Sequence, residues 1–495
     1  MRPTTFILKK ILVIGSGFSS LSASCYLAKS GYEVTVLEKN DQPGGRARQW
    51  KKGGFTFDMG PTWYWMPDIF ENFFADFGKK PSDYYSLKRL DPSYRVYFGE
   101  NKMMDLPVGL DNIAALFEHY EKGSAAQLKK FLAIAEKTYN VTVSEMVHVP
   151  GHSPLELITA DTIRHLGLFI RTVRQQVRSM FRHPYIINVL EFPVLFLGAK
   201  PGNIPAFYNF MNYADLALGT WYPGRGMYSV VEAMFQLARE LGVKFITGME
   251  VQEIIAGKGI ASGVRAAENF FSCDILVSGA DYHHTEQLLD PALRNYSEAY
   301  WNKKVFAPSA LLFYLGVDKV LENMQHHTLF FDADFDPHAE AIYDSKRWPE
   351  NPLFYVSCAS KTDPSCAPEG QENVIILIPV APGIEDSEEI REEYFEKTIA
   401  RLEKLTAQKI KDHIILKRTY SISDFENDYH SYKGNAYGLA NTLMQTAFLR
   451  PNIRSRKVNN LYFAGQLTVP GPGVPPCIIS GKIVAEDVLK NHPPS

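Results

Sequence analysis

Residues 11–38 place a strand, a glycine turn, a helix and a second strand in an order and spacing that few folds accommodate. Ile11-Leu12-Val13-Ile14 is an apolar, largely β-branched run that stops at Gly15, as a buried parallel strand would. Leu21 to Lys29 reads as a helix and Glu33 to Glu38 as the next strand, which together make a βαβ unit. Gly15-Ser16-Gly17-Phe18-Ser19-Ser20 occupies the place of a GxGxxG fingerprint. The first glycine permits the tight turn, and the second lets the backbone approach a pyrophosphate at the helix N-terminus. The third position is Ser20, small enough for the close helix–strand packing that position serves. Glu38 ends the second strand 21 residues after Gly17, where a carboxylate accepts hydrogen bonds from a ribose hydroxyl. The unit reads as a dinucleotide site.

The remainder of the chain bounds what can surround that site. Its 495 residues exceed one hydrophobic core and imply two or three packed units. A formal net charge of −3 excludes a general nucleic-acid binder, which needs basic stripes. The five cysteines (25, 273, 358, 366 and 477) are scattered, without CxxC or Cys/His ligand spacing. Neither a disulfide framework nor a metal site is expected, and a cytoplasmic setting is. The apolar stretch Ile11 to Ala28 follows Lys9 and Lys10 like a signal peptide. It is interrupted by Gly15, Ser16, Gly17, Ser19 and Ser20 and leads to no export-type cleavage context. Elsewhere no apolar run reaches 18 residues, so no spanning helix is expected.

Further along come Gly44-Gly45-Arg46 and then Gly54-Phe55-Thr56-Phe57-Asp58-Met59-Gly60-Pro61-Thr62. With these blocks the chain resembles the GG-motif flavoproteins, a group of carotenoid desaturases, amine oxidases and protoporphyrinogen oxidases. The resemblance implies FAD, with Gly44, Gly45 and Arg46 near its pyrophosphate and the Gly60-Pro61-Thr62 turn beside it. Trp221-Tyr222-Pro223-Gly224-Arg225-Gly226-Met227 resembles the desaturases' YPxGGM segment, with Arg225 in place of a glycine. It leads to a helix and to Gly248-Met249-Glu250-Val251, where the resemblance places backbone of Val251 against adenine. Asp274 to Asp281, through Ala280, resembles the strand and turn that return to the dinucleotide. Asn460 to Gln466, then Pro470-Gly471-Pro472-Gly473-Val474-Pro475, resembles the C-terminal flavin motif. There Gly465, Gln466, Gly473 and Val474 are implied to face the isoalloxazine and ribityl chain, although many relatives carry an acid near Gln466. With Gly15, Gly17, Phe18, Ser19, Glu38 and Lys39 these residues make the candidate cofactor site. The YPxGGM-like and PGPGVP blocks point to the bacterial-type carotenoid (phytoene) desaturases.

That resemblance implies a long hydrophobic polyene as substrate, and an enzyme that docks at a membrane without spanning it. Residues 161–183 read as a basic helix on which Arg171, Arg174, Arg178 and Arg182 share one face, with Arg164 nearby and Asp161 the single acid. This is the pattern of an interfacial helix, or of a solvated face on a packed one. Phe192 to Leu197 offers an apolar flap for an entrance. Desaturation removes a hydride and a neighbouring proton, so a flavin and an aligning, water-excluding tunnel suffice. No catalytic residue stands out. His326 and His327 read as a surface or core pair on opposite faces of a strand, Asp58 as a cap or turn acceptor, and Trp63, Tyr64 and Trp65 as an aromatic wall.

The expected architecture is α/β: a Rossmann-like FAD-binding domain (1–85, 222–290 and 450–495), a mixed-sheet substrate domain (86–115 and 291–449) and a helical, membrane-associating insertion (116–221). The expected function is carotenoid desaturation, phytoene-type or hydroxycarotenoid 3,4-type, with oxygen or quinone as terminal acceptor. An amine or porphyrinogen oxidase is an alternative. So is a prenyl-binding protein of the GDP-dissociation-inhibitor type, in which the nucleotide motifs would be degenerate.

Overall fold

The structure, a computed structural model, describes residues 8–144, 146–153 and 171–494. Strand β1 (Lys10–Ile14), helix α1 (Phe18–Lys29) and strand β2 (Glu33–Leu37) form the βαβ unit. The helix begins three residues earlier than its apolar pattern suggests, because Gly17 at φ −69° and ψ 174° is already its N-cap. Five parallel strands lie in the order Leu461–Phe463, Ile275–Ser278, β1, β2, Lys244–Ile246, so segments from the start, middle and end of the chain interleave. The near-continuous apolar composition of β1, Ile275–Ser278 and Leu461–Phe463 follows from burial on both faces.

Two glycines let helices close on this sheet. Gly279 sits where an added Cβ would come 2.0 Å from Ser20 Oγ. The room that a glycine at position 20 would give is thus supplied from the opposite side. The C-terminal helix, Val474–Asn491, packs along α1 through Gly481, whose added Cβ would be 2.4 Å from the Ser19 carbonyl oxygen. That helix starts at Val474, with Pro475 and Pro476 in its first turn, where no intrahelical N–H is needed.

A seven-stranded mixed sheet stands beside the first. Its order is Ile414–Tyr420, Ser309–Val317, Glu372–Val380, Phe354–Ser357, His327–Phe330, Tyr94–Gly99, Lys102–Leu106. Only the His327–Phe330 and Tyr94–Gly99 pair runs parallel. Every residue of Ser309–Val317 is buried, in strict alternation. Leu311, Phe313, Leu315 and Val317 pack under the helix Glu388–Thr406, while Ala310, Leu312 and Tyr314 meet Phe55 and Phe57 of the strand Phe55–Asp58.

The helical region opens with two helices, Leu110–Tyr120 and Ser124–Ser144, broken beside Gly123 at φ +88°. Among the described residues of the basic stretch the helix is Val173–Met180: Thr172 caps it in a capping box with Gln175, and Phe181 is extended. Arg171 and Arg182 therefore lie off the helix, and residues 154–170, including Asp161, Arg164, Leu168, Phe169 and Ile170, fall outside the described residues. Arg178 Nε is 2.9 Å from Glu191, and Arg174 pairs with both Glu191 and Asp336. The two helical arginines are thus neutralised by carboxylates distant in sequence, which a local charge count overlooks. Among the described residues no helix is long and apolar enough to cross a membrane.

Candidate functional site

A cleft of about 280 Å³ opens at the C-terminal ends of β1 and β2, where an open parallel sheet receives its ligand. Gly15, at φ +83°, makes the tight turn and donates its N–H to the Leu37 carbonyl. Glu38 is buried at the far lip. Its carboxylate accepts from Ser16 N (2.8 Å), Ser16 Oγ (2.5 Å) and Asn40 N (2.9 Å), which hold it fixed toward the cleft. Ser16 and Asn40 carry no motif of their own and escape a sequence reading.

Three observations show that these walls fit a dinucleotide. First, Gly17 has an ordinary φ, and a Cβ added there would meet no atom within 4 Å. Neither backbone nor packing requires glycine, so a side chain at 17 would only fill the cleft. Second, α1 has no side-chain cap and no acid in its first turn, which leaves its N–H groups to a ligand. Third, the Arg46 guanidinium lies over the Tyr429 ring and bonds Ser431 Oγ (2.8 Å), yet its buried Nε has no partner among the described residues. With its amide oxygen turned inward, Gln466 accepts from both Arg46 Nη atoms at 3.0 Å.

The same cleft is lined by Phe18, Ser19, Lys39, Gly44, Gly45, Gly60, Pro61, Val251, Ala280, Gly465, Gly473 and Val474, brought together from six stretches of chain. Thr62 is the exception: it lines the adjoining chamber, its hydroxyl bonded to Tyr355 OH at 2.8 Å. His284 and His430 also line the cleft, stacked at 4.0 Å, with His430 on Glu250 at 2.6 Å. Neither belongs to a recognisable motif. Arg225 takes φ +67°, the left-handed backbone that favours glycine, so the position keeps the conformation for which the YPxGGM pattern carries a glycine.

The second cavity, of about 370 Å³, is walled by Trp63, Trp65, Phe192, Leu195, Phe207 and Phe354 among others. Gly60, Pro61, Tyr437, Gly473 and Val474 line both spaces, so the chamber meets the cleft at the Gly60-Pro61 and Gly473-Val474 turns. Among its described lining residues there is no Asp, Glu, Lys or Arg. Burial depresses the pKa of His338 in its wall to about 4, so that side chain is neutral as well. Trp63 and Trp65 form the expected aromatic wall. Tyr64 does not: it turns away, stacks on Phe70 and bonds Tyr85 OH. The Phe192–Leu197 segment contributes Phe192 and Leu195.

His326 and His327 are a buried pair. His327 stacks flat on Trp63 at 4.0 Å and bonds Tyr355 OH at 2.6 Å, whereas His326 bonds Thr362 Oγ1 at 2.7 Å. Asp58 is the expected cap: it accepts from Met227 N (2.7 Å) and Tyr228 N (3.1 Å) at the start of the helix Tyr228–Glu240. Among the described residues no cluster of His, Cys, Asp or Glu is arranged to hold a metal, and the five cysteines are free.

Comparison with known proteins places this geometry. Residues 18–489 match the family described as flavin-containing amine oxidoreductase. A carotenoid 3,4-desaturase of Haloarcula japonica is 42% identical over 97% of this chain and 98% of its own. A zeta-carotene-forming phytoene desaturase of Myxococcus xanthus is 30% identical over 97% of this chain and 94% of its own. Among solved structures, an oxidoreductase from Methanosarcina mazei superposes with a TM-score of 0.64 at 18% identity, covering 96% of this chain and all of its own. A putrescine oxidase variant superposes with 0.62 at 13% identity, covering 98% and 99%. Both show a shared fold. The chain is a flavin-containing amine oxidoreductase by family, with FAD as its cofactor, and belongs among the carotenoid desaturases.

Proposed function

We propose that this protein desaturates a long hydrophobic polyene, oxidising a CH–CH bond to C=C in carotenoid biosynthesis. The observation that carries the reading is the uncharged, aromatic-walled chamber that opens onto the cleft at Gly60-Pro61 and Gly473-Val474. An ammonium substrate would call for a carboxylate or similar polar partner, and a porphyrinogen for cations to meet its carboxylates. The described chamber wall has neither charge, which favours the polyene over both. The relative that is 42% identical, named for carotenoid 3,4-desaturation, supports the same class. The prenyl-carrier alternative is disfavoured by the intact glycine turns, Glu38 and Arg46.

In this reading residues 1–85, 222–290 and 450–495 form the cofactor-binding unit. Gly15, Gly17 and the α1 N-terminus hold the pyrophosphate, Glu38 the ribose, and Val251 the adenine. Gly44, Gly45 and Arg46 complete the pyrophosphate cradle, and Gly465, Gln466, Gly473 and Val474 bracket the flavin. Bound FAD supplies the hydride acceptor. The chain's own contribution is to desolvate the polyene, lay it across the Gly60–Thr62 strip and exclude water.

The protein takes its substrate from a membrane surface, and oxygen or a quinone serves as final acceptor. Exposed Met444, which is 75% accessible and two residues from the chamber-lining Thr446, and the exposed Arg171 and Arg182 support the docking face. Anaerobic mixing of FAD-loaded protein with carotenoid-containing liposomes tests the reading. Flavin bleaching with a red shift of the polyene spectrum is the expected result. Bleaching by amines alone, or refusal of FAD, overturns it.

A further inference from the structure

Desaturation, the reading on which this inference rests, frees a proton inside a chamber with no described charged group in its wall, so that proton needs a way out. Thr62 is the one described residue that lines both the chamber and a small separate cavity of about 10 Å³. That volume is room for a single water molecule, which needs polar partners to reside there. Asp58, His326, Ser357 and Asn373 supply them. Gln49 and the exposed Arg225 close the cavity on its outer side.

On the chamber side, the Thr62 hydroxyl is held by Tyr355 OH at 2.8 Å, and Tyr355 by His327 Nδ1 at 2.6 Å. The other ring nitrogen of His327 is buried without a partner among the described residues, and the ring is clamped on Trp63. An apolar chamber has no packing reason to carry this polar chain, and a half-satisfied one costs stability. Its position fits a positioning device: it fixes the side chain of the one described residue that lines both cavities.

We propose that the proton lost in desaturation leaves the chamber through Thr62, crosses the small polar cavity by a water molecule and is taken up by the Asp58 carboxylate. Bound FAD would supply the two-electron acceptor: one C–H bond of the polyene would break with its electron pair leaving as hydride to it. The adjacent C–H bond breaks heterolytically and its pair becomes the new π bond. The proton is relayed by one O–H bond formed for each one broken, ending on Asp58. Thr62 touches the substrate space; Tyr355 and His327 are positioning residues.

Asp58 suits this part. It is held by two backbone N–H groups, and Gly226 leaves it room, since an added Cβ there would lie 2.4 Å from Oδ2. Burial raises its pKa to about 7, against the lowering effect of the Met227 and Tyr228 N–H groups. Burial lowers that of His326 to about 3, so His326 stays neutral and only lends a hydrogen-bond partner. The other titratable groups facing Asp58 across the cavity are Tyr222, Cys366 and Arg225, with Asp363 behind them, accepting from Tyr222 OH and Arg225 N.

The test uses FAD-loaded protein as wild type, Thr62→Val, Asp58→Asn and Tyr355→Phe. Anaerobic flavin reduction by liposomal carotenoid is followed from pH 6 to 9, together with carotenoid affinity and the infrared carboxyl band. The wild-type rate should fall as pH drops through about 7, where Asp58 becomes protonated. Asp58→Asn should lose about a hundredfold in rate and its pH dependence together. Thr62→Val should lose rate by far more than any change in FAD or carotenoid affinity, and Thr62→Ser should restore it. A protonated carboxyl band titrating near neutrality and missing in Asp58→Asn is expected with or without substrate. Absence of that band, or an Asp58→Asn profile that matches wild type, overturns the proposal while leaving desaturation intact. Wild-type flavin that no polyene bleaches overturns the desaturase reading itself, and the proton route with it.

Discussion

Position 17 is held as glycine by neither backbone nor neighbours, because its φ is ordinary and its added Cβ would meet open space. Gly17→Ala should therefore leave the cofactor-free protein's stability within about 0.5 kcal/mol. It should weaken FAD by roughly tenfold or more, since a methyl would stand where the pyrophosphate approaches the helix end. Flavin fluorescence titration with parallel urea unfolding separates the two effects. Glu38 behaves oppositely, because its carboxylate is built into the protein as well as aimed at the ligand. Glu38→Gln puts an NH₂ against donors that now point at an acceptor (Ser16 N, Ser16 Oγ, Asn40 N). The expected cost is about 1–3 kcal/mol of folding stability in addition to lost FAD affinity, read by the same two measurements.

Between elements, the contact of α1 with the strand Ile275–Ser278 shows how a departure from a motif is accommodated. Ser20 replaces the glycine of the fingerprint's third position, and Gly279 yields the space. Gly279→Ala alone should destabilise by about 1–3 kcal/mol through overpacking. The same change in a Ser20→Gly background should cost much less, because the clashing Oγ is gone. Urea unfolding of the four forms as a double-mutant cycle reads the coupling, and an additive result would refute the pairing. Ser20→Ala alone should stabilise by about 1 kcal/mol, since the buried Ser20 hydroxyl has no partner among the described residues.

For the whole molecule, the cleft is assembled from segments at both ends and the middle of the chain, so cofactor binding reports on the entire fold. FAD at a hundredfold excess over its Kd should raise unfolding free energy by about 2.7 kcal/mol, visible as an upward shift in Tm. The pH response carries a second signature. Asp215 is buried against Tyr94 OH at 2.8 Å, and burial raises its pKa to about 7. The folded protein then holds a proton that the unfolded chain releases near pH 4, so this stabilisation is present in acid and lost as pH rises through about 7. Asp215→Asn should accordingly be more stable than wild type above pH 7, by up to roughly 4 kcal/mol. That advantage should vanish below about pH 4; Tm differences across the range check it.

The sequence by itself determined the dinucleotide turn, the terminal Glu38, the GG and PGPG turns and the apolar strands. Each of these is written in consecutive residues whose backbone needs or apolar periods are local. Helix ends were legible only to within a few residues, because Gly17 and the pair Pro475-Pro476 start helices ahead of their apolar pattern. Only the tertiary structure decided what depends on distant partners. It placed Thr62 in the chamber rather than the cleft, turned Tyr64 away, paired Arg174 and Arg178 with Glu191, and set Asp58 and His326 around one small cavity. Side chains contributed one at a time by separate elements leave no spacing to read, and where they meet is fixed by how the two sheets and their helices pack.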